Sequence, residues 1–227
     1  MKVLYIHQYF KVNSGGTRSY EFSKYLTSQN HSVTMITGTE INDHEVENIK
    51  VKSTGTKYHQ SFTFMQRIIS FIHFMIKSTL IGLKEKNIDV IYATSTPLTV
   101  GIPTLLISKL KRRKYVFEVR DVWPDVPIEM GFIKSKLLQN ILFKLEKIIY
   151  KHAEHIVVLS EGMKRNLLRK GVNKEKITVI TNLSMNQYYD EIDVKPRDFY
   201  RDKLLCIHPG TMGKVNGLDF ILDVAET

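Results

Sequence analysis

One cysteine, one tryptophan and six prolines are spread over 227 residues. Cys206 alone forms no intramolecular disulfide, and no Cys/His cluster has zinc-site spacing, so a reducing compartment and a cytoplasmic location are expected. Residues 1–7 turn polar too soon for the apolar core of a secretory signal. The longest apolar stretch, 68–83, is interrupted by His73 and Lys77 and falls short of the roughly 20 residues that cross a bilayer, so no transmembrane helix is expected. Missing too are G-x-G-x-x-G and G-x-x-x-x-G-K-[ST], the usual dinucleotide and NTPase fingerprints. No RNA- or DNA-binding motif is present, and the aromatics do not interleave with the basic cluster, so nucleic acid is not an expected partner.

What is there suffices for a core: 43% of the residues are hydrophobic and 25% charged, an ordinary globular balance. Lys and Arg number 33 against 23 Asp and Glu, a formal charge of +10 that favours acidic partners such as phosphorylated small molecules or anionic headgroups. Residues 109–151 carry 11 basic and 5 acidic side chains, so more than half of the excess lies in one fifth of the chain.

Short β-rich runs alternate with longer helical patterns. Residues 2–6, 32–37, 89–93, 115–119, 155–159 and 176–180 read as strands, most of them near-continuously apolar, as in a parallel sheet covered on both faces. Between them 17–29, 62–86, 98–112, 135–151 and 160–171 read as helices, the last with Ser160 as N-cap and Gly171 as a stop. That order predicts an α/β fold built on a doubly wound, mostly parallel Rossmann-like sheet. Residues 181–203 break the rhythm and read as a linker. A strand at 204–208 and a helical start at 218–225 then reopen the pattern; one strand and one helix bury no core of their own, so the chain is expected to be a fragment.

Four loops after strands carry candidate chemistry. Gly15 and Gly16 precede a helix beginning near Thr17, and such a bend lets backbone amides and a helix dipole meet a phosphate or carboxylate. A plain strand-to-helix turn accounts for the same residues. Beyond the strand at 115–119 stand Arg120, Asp121, Trp123 and Asp125: a fork for phosphate, a carboxylate for a hydroxyl proton or a sugar hydroxyl, a flat apolar face and a second carboxylate. A structural Arg–Asp pair with a packed tryptophan is the competing account. Ser95, in Thr94-Ser95-Thr96-Pro97, offers a hydroxyl to a sugar or phosphate, or simply caps a helix. Gly210, Thr211, Gly213 and Lys214 form a second glycine-rich turn with a lysine placed for phosphate oxygens. The segment 62–86 is apolar on more than one face, as a central core helix or as a face offered to lipid or a partner.

The glycine pair, the stretch Val116 to Pro124, Ile156 to Lys164, Lys176 to Asn182, and Gly210 to Asp219 together resemble retaining glycosyltransferases of family four, most closely the bacterial surface-polysaccharide branch with its aminosugar transferases of O-antigen or capsule. The resemblance runs in order over nearly the whole chain. It implies a GT-B fold, two Rossmann-like domains across a cleft, with residues 1–181 the acceptor-binding domain, 182–203 the linker and 204–227 the start of the nucleotide-sugar domain. By position it sets Gly15 and Gly16 near the donor phosphates and Lys214 at the diphosphate. Arg120-Asp121 stands where many relatives carry His-Asp, and Thr211 where many carry Arg. It implies no metal or other cofactor, in keeping with the lack of an Asp-x-Asp motif.

The expected function is therefore transfer of a sugar from a nucleotide-sugar, a UDP-sugar above all, to a lipid-linked saccharide, with peripheral contact to the inner face of the cell membrane and with Asp121 and Arg120 as catalytic residues. Expected substrate-binding residues are Gly15, Gly16, Thr17, Ser95, Trp123 and Asp125; expected donor-phosphate residues are Gly210, Thr211 and Lys214. Two other classes fit parts of the pattern: a non-catalytic sugar- or membrane-binding module, and a nucleotide-dependent epimerase or dehydrogenase.

Overall fold

Apolar runs with β-branched side chains have their lowest free energy buried on both faces of a sheet, and the computed structural model of the protein places them so. It describes residues 1–11, 18–38, 43–56, 62–95, 97–182, 206–208 and 217–225. The chain divides into two units, Met1–Leu183 and Ser184–Thr227. In the first, eight strands form one sheet: β1 (Lys2–Ile6), β2 (Ser32–Thr37), β3 (His44–Val46), β4 (Ile49–Ser53), β5 (Val90–Thr94), β6 (Tyr115–Val119), β7 (His155–Val158) and β8 (Ile177–Val179). Their order is β3-β4-β2-β1-β5-β6-β7-β8, parallel throughout except for β3.

Helices cover both faces. Helix α1 (Arg18–Ser28) brings Tyr20, Phe22 and Leu26 against Val3, Tyr5, Val33 and Met35. On the opposite face lie α2 (Phe64–Lys84), α3 (Gly101–Lys111), α5 (Lys136–His152) and α6 (Glu161–Arg169), whose Phe74, Ile107, Ile149 and Leu167 are fully buried with Leu4, Ile6, Ile91 and Phe117. Alternate residues of β1 thus serve the two cores, as a period of two requires. A short α4 (Asp125–Glu129) lies between β6 and α5.

In the first unit the expected elements are present, most with ends moved by one or two residues, and there are two additions. The strand placed at 89–93 is shifted by one residue to Val90–Thr94, that at 155–159 stops at Val158, and the run at 176–180 opens with a 3₁₀ turn, Lys174–Lys176, before β8. β3 and β4 are additions: a two-residue turn at Glu47 and Asn48, both at positive φ, joins an edge ribbon whose alternating Ile49-Lys50-Val51-Lys52 is too polar to read as an apolar run. α4 is the other addition. Thr63 closes a capping box with Gln66 at the start of α2, and Ser160 and Gly171 bound α6 as expected. In the second unit, α7 (Leu218–Ala225) is helical as expected. Of the strand placed at 204–208, Cys206–His208 form no strand, and 204 and 205 lie outside the described residues.

Close packing of the helical layer involves Gly101, where an added Cβ would collide first with the Cδ1 methyl of the fully buried Ile149 and sit 2.6 Å from its Cγ1. Overpacking costs about 1–3 kcal/mol and the gain in helix propensity returns at most about 1. Gly101→Ala is therefore expected to lose on the order of 1–2 kcal/mol in urea unfolding, and Ile149→Val, by removing the methyl nearest the clash, to recover part of it. A Gly101→Ala protein as stable as the parent would show that α3 and α5 part freely.

Candidate functional site

All parallel strands end at one edge of the sheet, and the chain's direction across the sheet reverses at the neighbours β1 and β5. Such a switch point leaves a crevice outside the strand ends. His7 and Gln8 follow β1, Ser95 follows β5, Arg120 and Asp121 follow β6, and Ile180 and Thr181 follow β8.

Two of the residues expected from sequence are joined there. Ser95 donates its backbone N–H to the Glu118 carbonyl (2.8 Å), and its Oγ accepts the backbone N–H of Arg120 (2.9 Å). The Ser95 side chain is thus engaged with the β6 exit and caps no helix. Asp121, next along, is exposed, and Trp123 is half-buried against the larger core, with a cis bond to Pro124. Asp125 is held elsewhere: Lys170 bonds both it and Glu146 (2.6 Å to the latter), so one ammonium ties α4 and α5 to the end of α6. Burial pushes the Glu146 carboxyl up, against the pull of that ammonium. Gly15, Gly16, Thr17, Gly210, Thr211 and Lys214 lie outside the described residues.

Three residues outside the expected site dominate the edge. Arg18, in the first turn of α1, donates from Nε to Glu118 Oε1 (2.7 Å), from Nη1 to the Thr181 carbonyl (2.5 Å) and from Nη2 to the Ile180 carbonyl (2.7 Å), and lies 4.4 Å from the Phe22 ring centroid. The two side chains are 5% and 0% exposed. The other carboxylate oxygen of Glu118 accepts from Thr94 Oγ1 (2.8 Å), which in turn lies 3.0 Å from the Tyr5 hydroxyl. Thr94 has one proton and gives it to the carboxylate, so Tyr5 is the donor to Thr94. Glu118 was detectable: a carboxylate inside Tyr115-Val116-Phe117-Glu118-Val119, a run buried on both faces, demands a buried cation. Arg18, directly after the glycine loop, had no periodic signal to mark it.

His7 is the third. It is buried, shares a 2.7 Å hydrogen bond between Nδ1 and Ser19 Oγ, and burial, then the charge of Arg120, lower its pKa to about 3. The imidazole is neutral at ordinary pH. Arg18 is matched by Glu118, whereas the Arg120 side chain makes no ion pair with another described residue. Among the described residues no group of three His, Cys, Asp or Glu side chains is gathered to hold a metal ion.

The sequence profile of Glycosyltransferase Family 4 matches residues 15–183. The chain belongs to that family. A comparison with curated proteins gives no match. Solved structures similar to this member of the family include sucrose-phosphate synthase from Thermosynechococcus elongatus, at 12% identity and a TM-score of 0.56 over 81% of this chain and 48% of that one. Another is HepE of Anabaena in complex with UDP-glucose, at 15% identity and a TM-score of 0.50 over 83% of this chain and 46% of that one. The likeness is one of fold: a mostly parallel Rossmann-like unit as in the N-terminal domain of GT-B enzymes. This chain spans about half the length of those structures.

Two outcomes follow from the buried groups. A base whose folded pKa lies below its unfolded value of about 6.5 stabilises the fold when neutral. The His7 contribution is thus complete above about pH 6.5 and is lost as pH falls toward about 3. His7→Gln should flatten the stability profile across that window by on the order of a few kcal/mol, and the parent's His7 ring signals should stay in the neutral form at pH 5; an imidazolium there would contradict the geometry. Arg18→Met strands the Glu118 carboxylate and is expected to cost about 3–5 kcal/mol, with Arg18→Met/Glu118→Gln recovering much of it in a double-mutant cycle.

Proposed function

We propose that this chain forms the acceptor half of a glycosyltransferase that moves a sugar from a UDP-sugar to a lipid-linked saccharide at the cytoplasmic face of a membrane, in synthesis of a surface polysaccharide such as capsule or O-antigen. Family membership supports sugar transfer, and the UDP-glucose bound to HepE, a protein of similar fold, supports a UDP-sugar donor. The observation that carries the reading is the sheet edge: a neutral His7, the guanidinium of Arg120 and the hydroxyl-tied exit of β5 stand together at the switch point.

That arrangement suits the chemistry. As the nucleotide diphosphate leaves, negative charge grows on its oxygens, and a guanidinium reaching from an anchored main chain would stabilise it. Asp121, one residue on and exposed, would accept a proton from an incoming hydroxyl or orient it. We assign retention of configuration by attack from the face the diphosphate leaves, through an oxocarbenium-like state, and no covalent nucleophile. Gly15, Gly16 and Thr17 would meet the donor from the loop before α1, and Trp123 would wall the acceptor side. Residues 1–181 then constitute the acceptor domain, 182–203 a linker, and 204–227 the start of a donor domain whose Gly210, Thr211 and Lys214 hold the diphosphate.

The reading is tested in a polypeptide that carries both halves, with a labelled UDP-sugar and a lipid-linked saccharide. Arg120→Ala is expected to lower kcat by about 10²–10³, and Asp121→Ala by about 10²–10⁴, with unfolding curves unchanged. Parent-like turnover in both variants, or sustained multiple turnover by the 227 residues alone, would remove the split site.

A further inference from the structure

Helix α2 is apolar on two opposite faces, and the fold uses only one. Phe74 and Ser78 point into the core with no exposure. On the other side Met65, Ile69, Ile72, Ile76 and Leu80 recur at intervals of three and four residues and are each between 46% and 62% exposed. Spacing of that kind makes one straight stripe, about 22 Å long at 1.5 Å per residue. The neighbouring α3 extends it with Leu106 and Leu110, 45% and 66% exposed, and α5 with Leu137 and Ile141, 72% and 52% exposed. All three helices lie in one layer on one face of the sheet, so their solvent sides form one surface.

Its charge has one sign. The sequences of α2 and α3 contain no Asp or Glu, and the one acidic residue of α5, Glu146, is buried on the inner side with Lys170. Exposed on the same helices are Lys77, Lys84, Lys109, Lys136, Lys144 and Lys147. No described helix is long and apolar enough to cross a membrane.

We propose that the outer surface of α2, α3 and α5 docks on a bilayer rich in anionic phospholipid, with the apolar stripe at the acyl boundary and the lysines at the phosphates. An interfacial helix combines these two features, an apolar stripe flanked by cations. Charge decides the occupant: a second copy meeting this one through the same face would press like clusters together, whereas an anionic headgroup layer complements them. The proposal deepens the lipid-linked acceptor reading given above but is measured without donor or acceptor, so its failure leaves sugar transfer untouched.

The test is co-sedimentation of the full chain with vesicles of phosphatidylcholine alone or mixed with phosphatidylglycerol, at low and high salt. Tight binding to the mixed vesicles is expected, at least about tenfold weaker to phosphatidylcholine alone and weaker again at high salt. Each lysine removed should lower binding by about fivefold, so Lys77→Gln/Lys109→Gln/Lys144→Gln loses on the order of a hundredfold. Ile72→Ser/Ile76→Ser, at exposed positions, should abolish binding with the melting curve unchanged. The proposal is overturned by equal binding of parent and both variants, by no binding to the anionic vesicles, or by a solution dimer that Ile72→Ser/Ile76→Ser dissolves while vesicle binding persists.

Discussion

Removing a guanidinium and a carboxylate from water costs several kcal/mol per ion, and Arg18 and Glu118 bear that cost together. The cost is offset because almost every donor and acceptor is matched: Nε with one carboxylate oxygen, the two terminal nitrogens with the carbonyls of Ile180 and Thr181, the second oxygen with Thr94, and the guanidinium with Phe22 nearby. Three stretches far apart in sequence are thereby fixed to one point: the opening of α1, the end of β6, and the chain as it leaves β8. A hydrophobic contact would have tolerated sliding; an ion pair through Nε with two carbonyls on the guanidinium's other arms sets both distance and orientation.

Charge neutrality in that pair has an effect at the edge above it. The arginine is cancelled locally, and the imidazole of His7 is held neutral by burial and by Arg120. Arg120 acts on His7 by its charge and follows β6, one strand from the switch point, where open α/β sheets leave a crevice at the strand ends. The tie between its backbone N–H and Ser95 links the exits of β5 and β6, so its main chain has a fixed origin from which the side chain reaches.

Much of this was legible in the residues, and the rest was hidden for identifiable reasons. Strands such as Lys2–Ile6 and Tyr115–Val119 were plain because burial on both faces demands unbroken apolar runs. β3 and β4 were not, since an edge ribbon with Lys50 and Lys52 facing water carries half the signal and its turn uses Glu47-Asn48 in place of a glycine. The loops at strand ends could be located, and Ser95 with Arg120 did come together. Yet the long-range partner of Arg18 is a hundred positions away, and no local pattern encodes that pairing. Asp125 was marked by its place two residues past the tryptophan; its bond with Lys170, forty-five positions on, could not be seen from its neighbours.

The two apolar sides of α2 illustrate where periodicity stops informing. A helix that is hydrophobic all round reads as central, and α2 is central on one side only: among the described residues no further layer lies beyond it, and its outer stripe is exposed. In an α/β unit the outer face of a helical layer and the carboxyl edge of the strands are adjacent, not opposed, sides. If the layer lies flat on a bilayer, the edge bearing His7, Arg120 and Asp121 stands beside the headgroups with its crevice still open laterally. Docking and the proposed chemistry would then use different surfaces of one small unit, and an acceptor anchored in that bilayer would reach the edge by moving in two dimensions, which would raise its effective concentration with no added contact to the site.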